Sequence, residues 1–266
     1  MAVVSDTQIG DYRRDGAIVI RGAFTPAEVE LVTEGIDRDM HDPSPGAKVA
    51  SRPDDPGRFF EDFCNWSRIP QFERVIRESQ AAEIAAALTG SSRIRLFHDH
   101  VLVKEAATRQ PTPWHQDQPY YNIDGHQTCS VWMPVDPVSR ESTLEFVAGS
   151  HLGPWLMPRT FMDGKASWFP EGTLADLPDI EADRAAFPII GWALEPGDAV
   201  FFNMLTLHAA GPSDGLRRAF SVRFMGDDVV HAPRRWTTSP EFAGLDAELP
   251  AGAPMEHPLF PVVYAA

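Results

Sequence analysis

Residues 114–121 read Trp114-His115-Gln116-Asp117-Gln118-Pro119-Tyr120-Tyr121, an extended-looking segment with an imidazole and a carboxylate two positions apart. Along a strand, residues i and i+2 face the same side, so His115 and Asp117 can aim at one point. A second histidine from far along the chain would complete a two-histidine, one-carboxylate face on a metal. Such a face leaves coordination positions open, as non-haem Fe(II) oxygen chemistry requires. An isolated His-x-Asp pair is more often a turn with a capped histidine, so the rest of the chain decides the matter.

Downstream and just upstream of this stretch, the sequence reads as strands separated by turn signals. Arg93 to Lys104 alternates loosely and contains His98 and His100. Thr128 to Val135 carries Val131, Trp132 and Met133 before Asp136-Pro137 breaks it. Leu144-Glu-Phe-Val147 runs into Gly149-Ser150-His151. Leu194-Glu-Pro-Gly-Asp198 has Pro and Gly centred as in a type II turn and launches Ala199-Val-Phe-Phe202. Then come His208 and the strand Arg217 to Met225. The segment 152–187 reads as a long loop, of the kind that serves as a lid.

Closer to the N-terminus the signals are helical. Residues 6–40 predict a short helix, a strand over Ala17–Ile20 and a longer helix. Thr25-Pro26-Ala27-Glu28 supplies that helix with a cap, a first-turn proline and an acidic third position. Its buried stripe is expected at Val29, Val32 and Ile36. A polar loop spans 42–58, helices return at about 70–78 and 80–89, and the tail from Asp227 is Pro-rich and expected to wrap the surface.

Composition narrows the function classes. With 24 Pro and 19 Gly among 266 residues, a turn-rich β barrel or sandwich is favoured over a helical bundle. A net charge of -15 argues against a nucleic-acid partner, because phosphate binding needs clustered Lys and Arg. The start, Met1 to Gly10, lacks a signal-peptide pattern, and no stretch approaches a membrane span. Two cysteines, Cys64 and Cys129, make no disulfide framework, so a reduced, cytoplasmic setting is expected.

Four separated pieces then line up: Trp114-His-Gln-Asp117, Leu144 to His151, Leu194 to Phe202, and His208 followed by Arg217-Arg-Ala-Phe-Ser-Val-Arg223. Together, from Asp15-Gly16 to about residue 226, they resemble the phytanoyl-CoA dioxygenase family of Fe(II)/2-oxoglutarate oxygenases. The resemblance implies an α+β, mainly β chain: a double-stranded β-helix (a cupin-like jelly-roll barrel) with N-terminal helices packed outside. It implies one domain over 1–266, with a core of roughly 15–226. It also implies an Fe(II) site at His115, Asp117 and His208, with 2-oxoglutarate and O2 as cosubstrates. Arg217 would grip the distal carboxylate of 2-oxoglutarate through its planar guanidinium.

Arg217, Ala219, Ser221 and Arg223 share one strand face and Arg218 the other, so a one-residue slip exchanges the two arginines. By the same resemblance Trp132, Gln116 and His100 lie near the cosubstrate, although His100 departs from better-known members. Ala209-Ala210-Gly211 follows His208 where a hydroxyl is frequent, and Thr143 or Ser221 would substitute. In related halogenases the position of Asp117 is typically Gly or Ala, so its presence favours hydroxylation of a small organic substrate.

Blander readings stand beside these. His41, His98, His100, His126, His151, His231 and His257 lie outside the triad, so histidine alone signifies little. His98 and His100 alternate on one strand face and read as packing rather than a second metal pair. Tyr120, Tyr121, Trp114 and Trp155 line a pocket or fill a core, and Asp198 and His151 belong to turns. Rival functions are desaturation, epoxidation or cyclisation at the same iron, a zinc hydrolase, and a non-catalytic jelly roll that binds a metal or ligand.

Overall fold

The computed structural model describes residues 3–158, 173–213, 215–236 and 238–266. Helices α1 (Asp6–Asp15) and α2 (Pro26–His41) flank strand β1 (Ala17–Ile20). Next come β2 (Lys48–Val49), β3 (Phe59–Phe63), α3 (Pro70–Glu78) and α4 (Ala81–Thr89). The strand-rich part runs β4 (Arg93–Lys104), β5 (Thr112–His115), β6 (Ile123–Asp124), β7 (Thr128–Pro134) and β8 (Leu144–Val147). It continues β9 (Ile189–Ile190), β10 (Ala199–Phe202), β11 (His208–Ala210), β12 (Arg217–Met225) and β13 (Val230–His231), and ends with α5 (Leu245–Glu248) and β14 (Val262–Ala265). Reciprocal capping boxes, Ser5 with Gln8 and Thr25 with Glu28, start α1 and α2, and Pro26 occupies the first turn of α2. Gly90, at φ 73°, ends α4.

Two antiparallel sheets make the jelly roll, and they do not close into one continuous barrel. The larger runs β1-β10-β7-β12-β4-β3-β2, with β14 also on β4, and the smaller runs β5-β11-β8-β9. Strand alternation divides the large sheet into two faces. Val101, Val103, Val131, Met133, Phe201, Phe220, Val222 and Phe224 turn outward and share a core with Val32 and Ile36 of α2 and with α3 and α4. Phe72 of α3 stacks on Phe220 with ring centroids 4.3 Å apart. Fully burying one such ring is worth about 1.5–3 kcal/mol, and this layer fixes the sheet from behind. Inward, Trp132, Val200, Phe202 and Ala219 meet Leu144, Phe146 and Ala210 of the small sheet.

The fold differs from expectation at two places. Residues 42–58 contain β2, which pairs with β3 and extends the large sheet. The C-terminal tail does not merely wrap the surface: β14 pairs with β4, and Leu245, Leu249, Met255 and Phe260 are buried with Phe97, Ile123 and Met204. Its apolar residues are too widely spaced to mark a core before their partners are known. Of the expected lid over 152–187, residues 159–172 lie outside the described residues. Among the described residues no helix is long and apolar enough to cross a membrane.

Candidate active site

His115 ends β5 and His208 begins β11, and the two are direct partners across the small sheet. Their ring centroids lie 4.2 Å apart. Each Nδ1 lies on a backbone carbonyl, Pro113 O at 2.8 Å for His115 and Thr206 O at 2.9 Å for His208. A carbonyl can only accept, so each Nδ1 carries the proton and each Nε2 presents a lone pair. Both Nε2 atoms face Asp117 Oδ1, at 3.6 and 3.7 Å. The three donor atoms lie within 4.8 Å of one another, and among the described residues no other group of His, Cys, Asp or Glu meets that test.

Asp117 reaches this point by a route the alternation rule did not foresee. Strand β5 stops at His115, and Asp117 is helical (φ -70°, ψ -48°), opening the short 3-10 turn Gln118–Tyr120. The Asp117 and Gln118 N–H groups both donate to Met204 O, at 2.9 and 3.0 Å. Ser130 Oγ donates to Asp117 Oδ2 at 3.1 Å, and an Arg223 guanidinium nitrogen lies 3.3 Å from the same oxygen. One carboxylate oxygen is thus held by the large sheet while the other faces the imidazoles. Burial pushes the Asp117 carboxyl up, but Arg223 and the two imidazoles outweigh it and hold it well below the usual range. Burial, with His115 beside it, pushes His208 down to about 3, so its imidazole is neutral at physiological pH.

The triad lines a cavity of about 280 Å³ between the sheets. Arg217 projects into it from β12, donates to Ser142 O and stands 5.9 Å over Trp132. No carboxylate pairs with this buried guanidinium among the described residues, and burial alone pushes it down to about 10. Arg218, on the outer face, pairs with Asp136 at 2.9 Å and Asp37 at 3.1 Å. The slip left open by the sequence is therefore resolved: Arg217 is the inward arginine. Trp132, His100 and Ser221 also line the cavity, but Ser221 donates its hydroxyl to Val131 O at 2.6 Å. Thr143 is buried without a partner and does not line it.

Gln116 is not where the sequence reading put it. Its amide nitrogen donates to Leu205 O at 2.9 Å, its oxygen accepts from Leu156 N at 2.7 Å, and it does not line the cavity. The backbone of two loops consumes its hydrogen-bonding capacity, which makes it a brace behind His115. Tyr120 and Tyr121 line the cavity, whereas Trp114 donates to Glu181 and Trp155 lies under Arg234. His98 is buried outside the cavity.

Sequence reasoning missed Lys104 and Glu61 as lining residues, and it placed Arg223 on the Arg217 face without giving it a role. Lys104 Nζ donates to Gln110 O at 2.8 Å and Gly211 O at 3.0 Å, directly across the ladder from Arg217. Burial, then the charge of Arg217, pushes Lys104 down to about 6. The signal was present: His100, Leu102 and Lys104 share strand parity, as do Phe59, Glu61 and Phe63.

The profile of the family described as "Phytanoyl-CoA dioxygenase (PhyH)" matches residues 12–219. The chain is 25% identical over 233 residues to the peroxisomal phytanoyl-CoA dioxygenase of Bos taurus, covering 84% of this chain and 63% of that one. It is 28% identical over 121 residues to a probable phytanoyl-CoA dioxygenase of Caenorhabditis elegans, covering 44% and 37%. It thus spans less than two thirds of the length of either curated relative. Among solved structures it is similar to the non-heme alpha ketoglutarate dependent carbocyclase SnoK from nogalamycin biosynthesis. The TM-score is 0.77 and the identity 23%, over 99% of both chains. The epimerase SnoN, solved with Fe3+, alpha ketoglutarate and nogalamycin RO, gives 0.76 and 23%, over 97% of this chain and 98% of that one. At these identities the two structures speak for the fold.

Proposed function

The chain belongs to the phytanoyl-CoA dioxygenase family, and from that premise we propose that it is an Fe(II)- and 2-oxoglutarate-dependent dioxygenase. It hydroxylates a C–H bond of a small organic substrate: R–H, O2 and 2-oxoglutarate give R–OH, succinate and CO2. The observation that carries this reading is the convergence of two Nε2 lone pairs and one carboxylate oxygen in the cavity that Arg217 enters. The donor set fits the group: two neutral imidazoles and one carboxylate suit Fe(II) and leave positions for a chelating cosubstrate and O2. Bound there, a ferrous centre would activate O2, the oxidant, while 2-oxoglutarate would be the co-reductant decarboxylated to succinate, a chemistry that no side chain of the protein can supply.

The residues of this chain position the metal ligands and the cosubstrate. Pro113 O and Thr206 O fix the tautomers of His115 and His208, the outer-sphere support that orients metal ligands. Ser130 and Arg223 hold one oxygen of Asp117 and so orient the other. Arg217 anchors the distal carboxylate of the cosubstrate with Trp132 beside it. Phe202, Leu144 and Leu102 give the cavity an apolar stretch of wall. The acidic surface, at a net charge of -15, supports a small-molecule substrate over a nucleic acid.

Purified protein given Fe(II) should release succinate from 2-oxoglutarate in an O2-dependent manner during a screen of small organic compounds, with one oxygen atom entering the product. Turnover without O2, or with zinc in place of iron, would assign a hydrolase instead. Since SnoK and SnoN are named as a carbocyclase and an epimerase, product analysis should also look for ring closure and inverted stereocentres.

A further inference from the structure

Glu61 and His100 stand apart from the groups the proposed reaction uses. Both line the cavity, Glu61 from β3 and His100 from β4. His100 Nε2 is buried and makes no hydrogen bond, since the nearest carboxylate oxygen, Glu61 Oε1, is 3.5 Å away. The Glu61 side chain is only 8% exposed, and His100 is the only basic group within ion-pair distance of it among the described residues. Lys48 faces Glu61 across the ladder, but its ammonium stands 5.8 Å over the Phe63 ring. Among the described residues His100 Nε2 is buried without a partner, which costs free energy, and a third group bridging it to Glu61 would remove that cost.

Position and charge say what that group is. Strands lie about 4.8 Å apart, so Glu61 on β3 is roughly 10 Å from β12, whereas His100 on β4 is one spacing away, opposite Ser221. The Glu61 side of the pair therefore faces the part of the cavity left for the primary substrate. Phe63 stacks on His100 at 3.8 Å, and Tyr120 and Tyr121 continue an aromatic wall. Burial holds the His100 imidazole neutral, below its ordinary range. Lys48, Arg217 and Arg223 outnumber Glu61 and Asp117 around the cavity, which opposes a substrate ammonium group. A hydroxyl has one donor for the carboxylate and two lone pairs for an imidazole N–H, so it satisfies both partners without adding charge.

We propose that Glu61 and His100 bind a hydroxyl group of the primary substrate, an uncharged ring-bearing alcohol held against Phe63 with its reacting carbon turned toward His115, Asp117 and His208. The assignment of this ligand as substrate rests on the oxygenase reading. The recognition of a hydroxyl rests on the pair itself.

Three matched probes test it: 2-phenylethanol, its methyl ether, which loses the donor, and 2-phenylethylamine, which adds a charge. Their dissociation constants are measured by ligand-observed NMR on the full chain, with and without Zn(II) and 2-oxoglutarate. The alcohol should bind at least tenfold tighter than either analogue. Glu61→Gln and His100→Leu should each abolish that preference, and in Glu61→Gln 2-oxoglutarate should bind within twofold of its original strength. An ether as tight as the alcohol, or an amine tighter than both, overturns the proposal. So does a loss of 2-oxoglutarate affinity in Glu61→Gln with an unchanged circular dichroism spectrum, which would give the pair to the cosubstrate. Failure of the unsubstituted chain to bind 2-oxoglutarate would sink the oxygenase reading instead, and the probe series on metal-free protein would still decide the hydroxyl.

Discussion

Among the described residues Arg217 turns into the cavity with no carboxylate beside it, while Arg218 turns out to Asp136 and Asp37. A hydrogen bond to a charged group is worth about 1.5–3 kcal/mol, so Arg217→Ala should weaken 2-oxoglutarate binding by roughly 10- to 150-fold. Arg218→Ala should change it by less than about threefold, since a partly exposed pair contributes little. Calorimetric titration of the zinc-loaded protein measures both, and the reverse order would move the anchor to the outer face. At this scale much was legible. The parity of β12 put the two arginines on opposite faces without saying which faced inward, and the family resemblance, more than the His-x-Asp spacing, pointed to the three donors that the structure brings together. Gln116 was not legible, because its partners Leu205 and Leu156 come from loops that no sequence pattern brings to it. Lys104 escaped notice because a lysine at a strand end ordinarily reads as solvent-facing.

Gly16, between α1 and β1, shows how one connection places a distant ligand. Its φ of 79° is left-handed, and a Cβ there would overlap His151 Nδ1 and Thr206 Oγ1. Its carbonyl accepts from Asn203 N and Thr206 Oγ1, both at 2.8 Å, and Thr206 O in turn fixes the His208 ring. Gly16→Ala should cost more than the roughly 1–2 kcal/mol of the backbone strain alone and weaken zinc binding as well. Gly10→Ala, in α1 with nothing near its Cβ, should stabilise the fold by up to about 1 kcal/mol and leave metal affinity alone. Denaturant melts and metal titrations separate the two. Capping boxes and alternation made the helices and long strands legible in advance. The two-residue strands β2 and β9 and the late strand β14 were not, because each is defined by the neighbour it pairs with.

Two of the three buried carboxylates behind the large sheet, Asp39 and Asp99, couple the whole molecule to pH. Asp39 sits beside Arg68, Asp62 accepts from Ser44, and Asp99 accepts from the Asn65 and Trp66 N–H groups. Burial, then the charge of Asp62, pushes Asp39 up to about 7, and burial pushes Asp99 up to about 6. A raised carboxyl binds its proton more tightly when folded, so its contribution is full below pH 4 and fades as pH climbs toward 7. The stability of the unsubstituted chain minus that of Asp39→Asn should therefore fall across pH 4–7 in denaturant melts. A difference that rises instead would mean that the Arg68 ion pair dominates. The candidate metal centre has its own consequence at this scale. His115 and His208 belong to the small sheet, whereas Asp117 is held by Ser130 and Arg223 of the large one. An ion there rivets the two halves of the sandwich, and its loading becomes a thermometer reading. At a hundredfold excess over its dissociation constant, Zn(II) should add about 2.7 kcal/mol, raise the melting temperature reversibly to chelator, and do neither in Asp117→Ala.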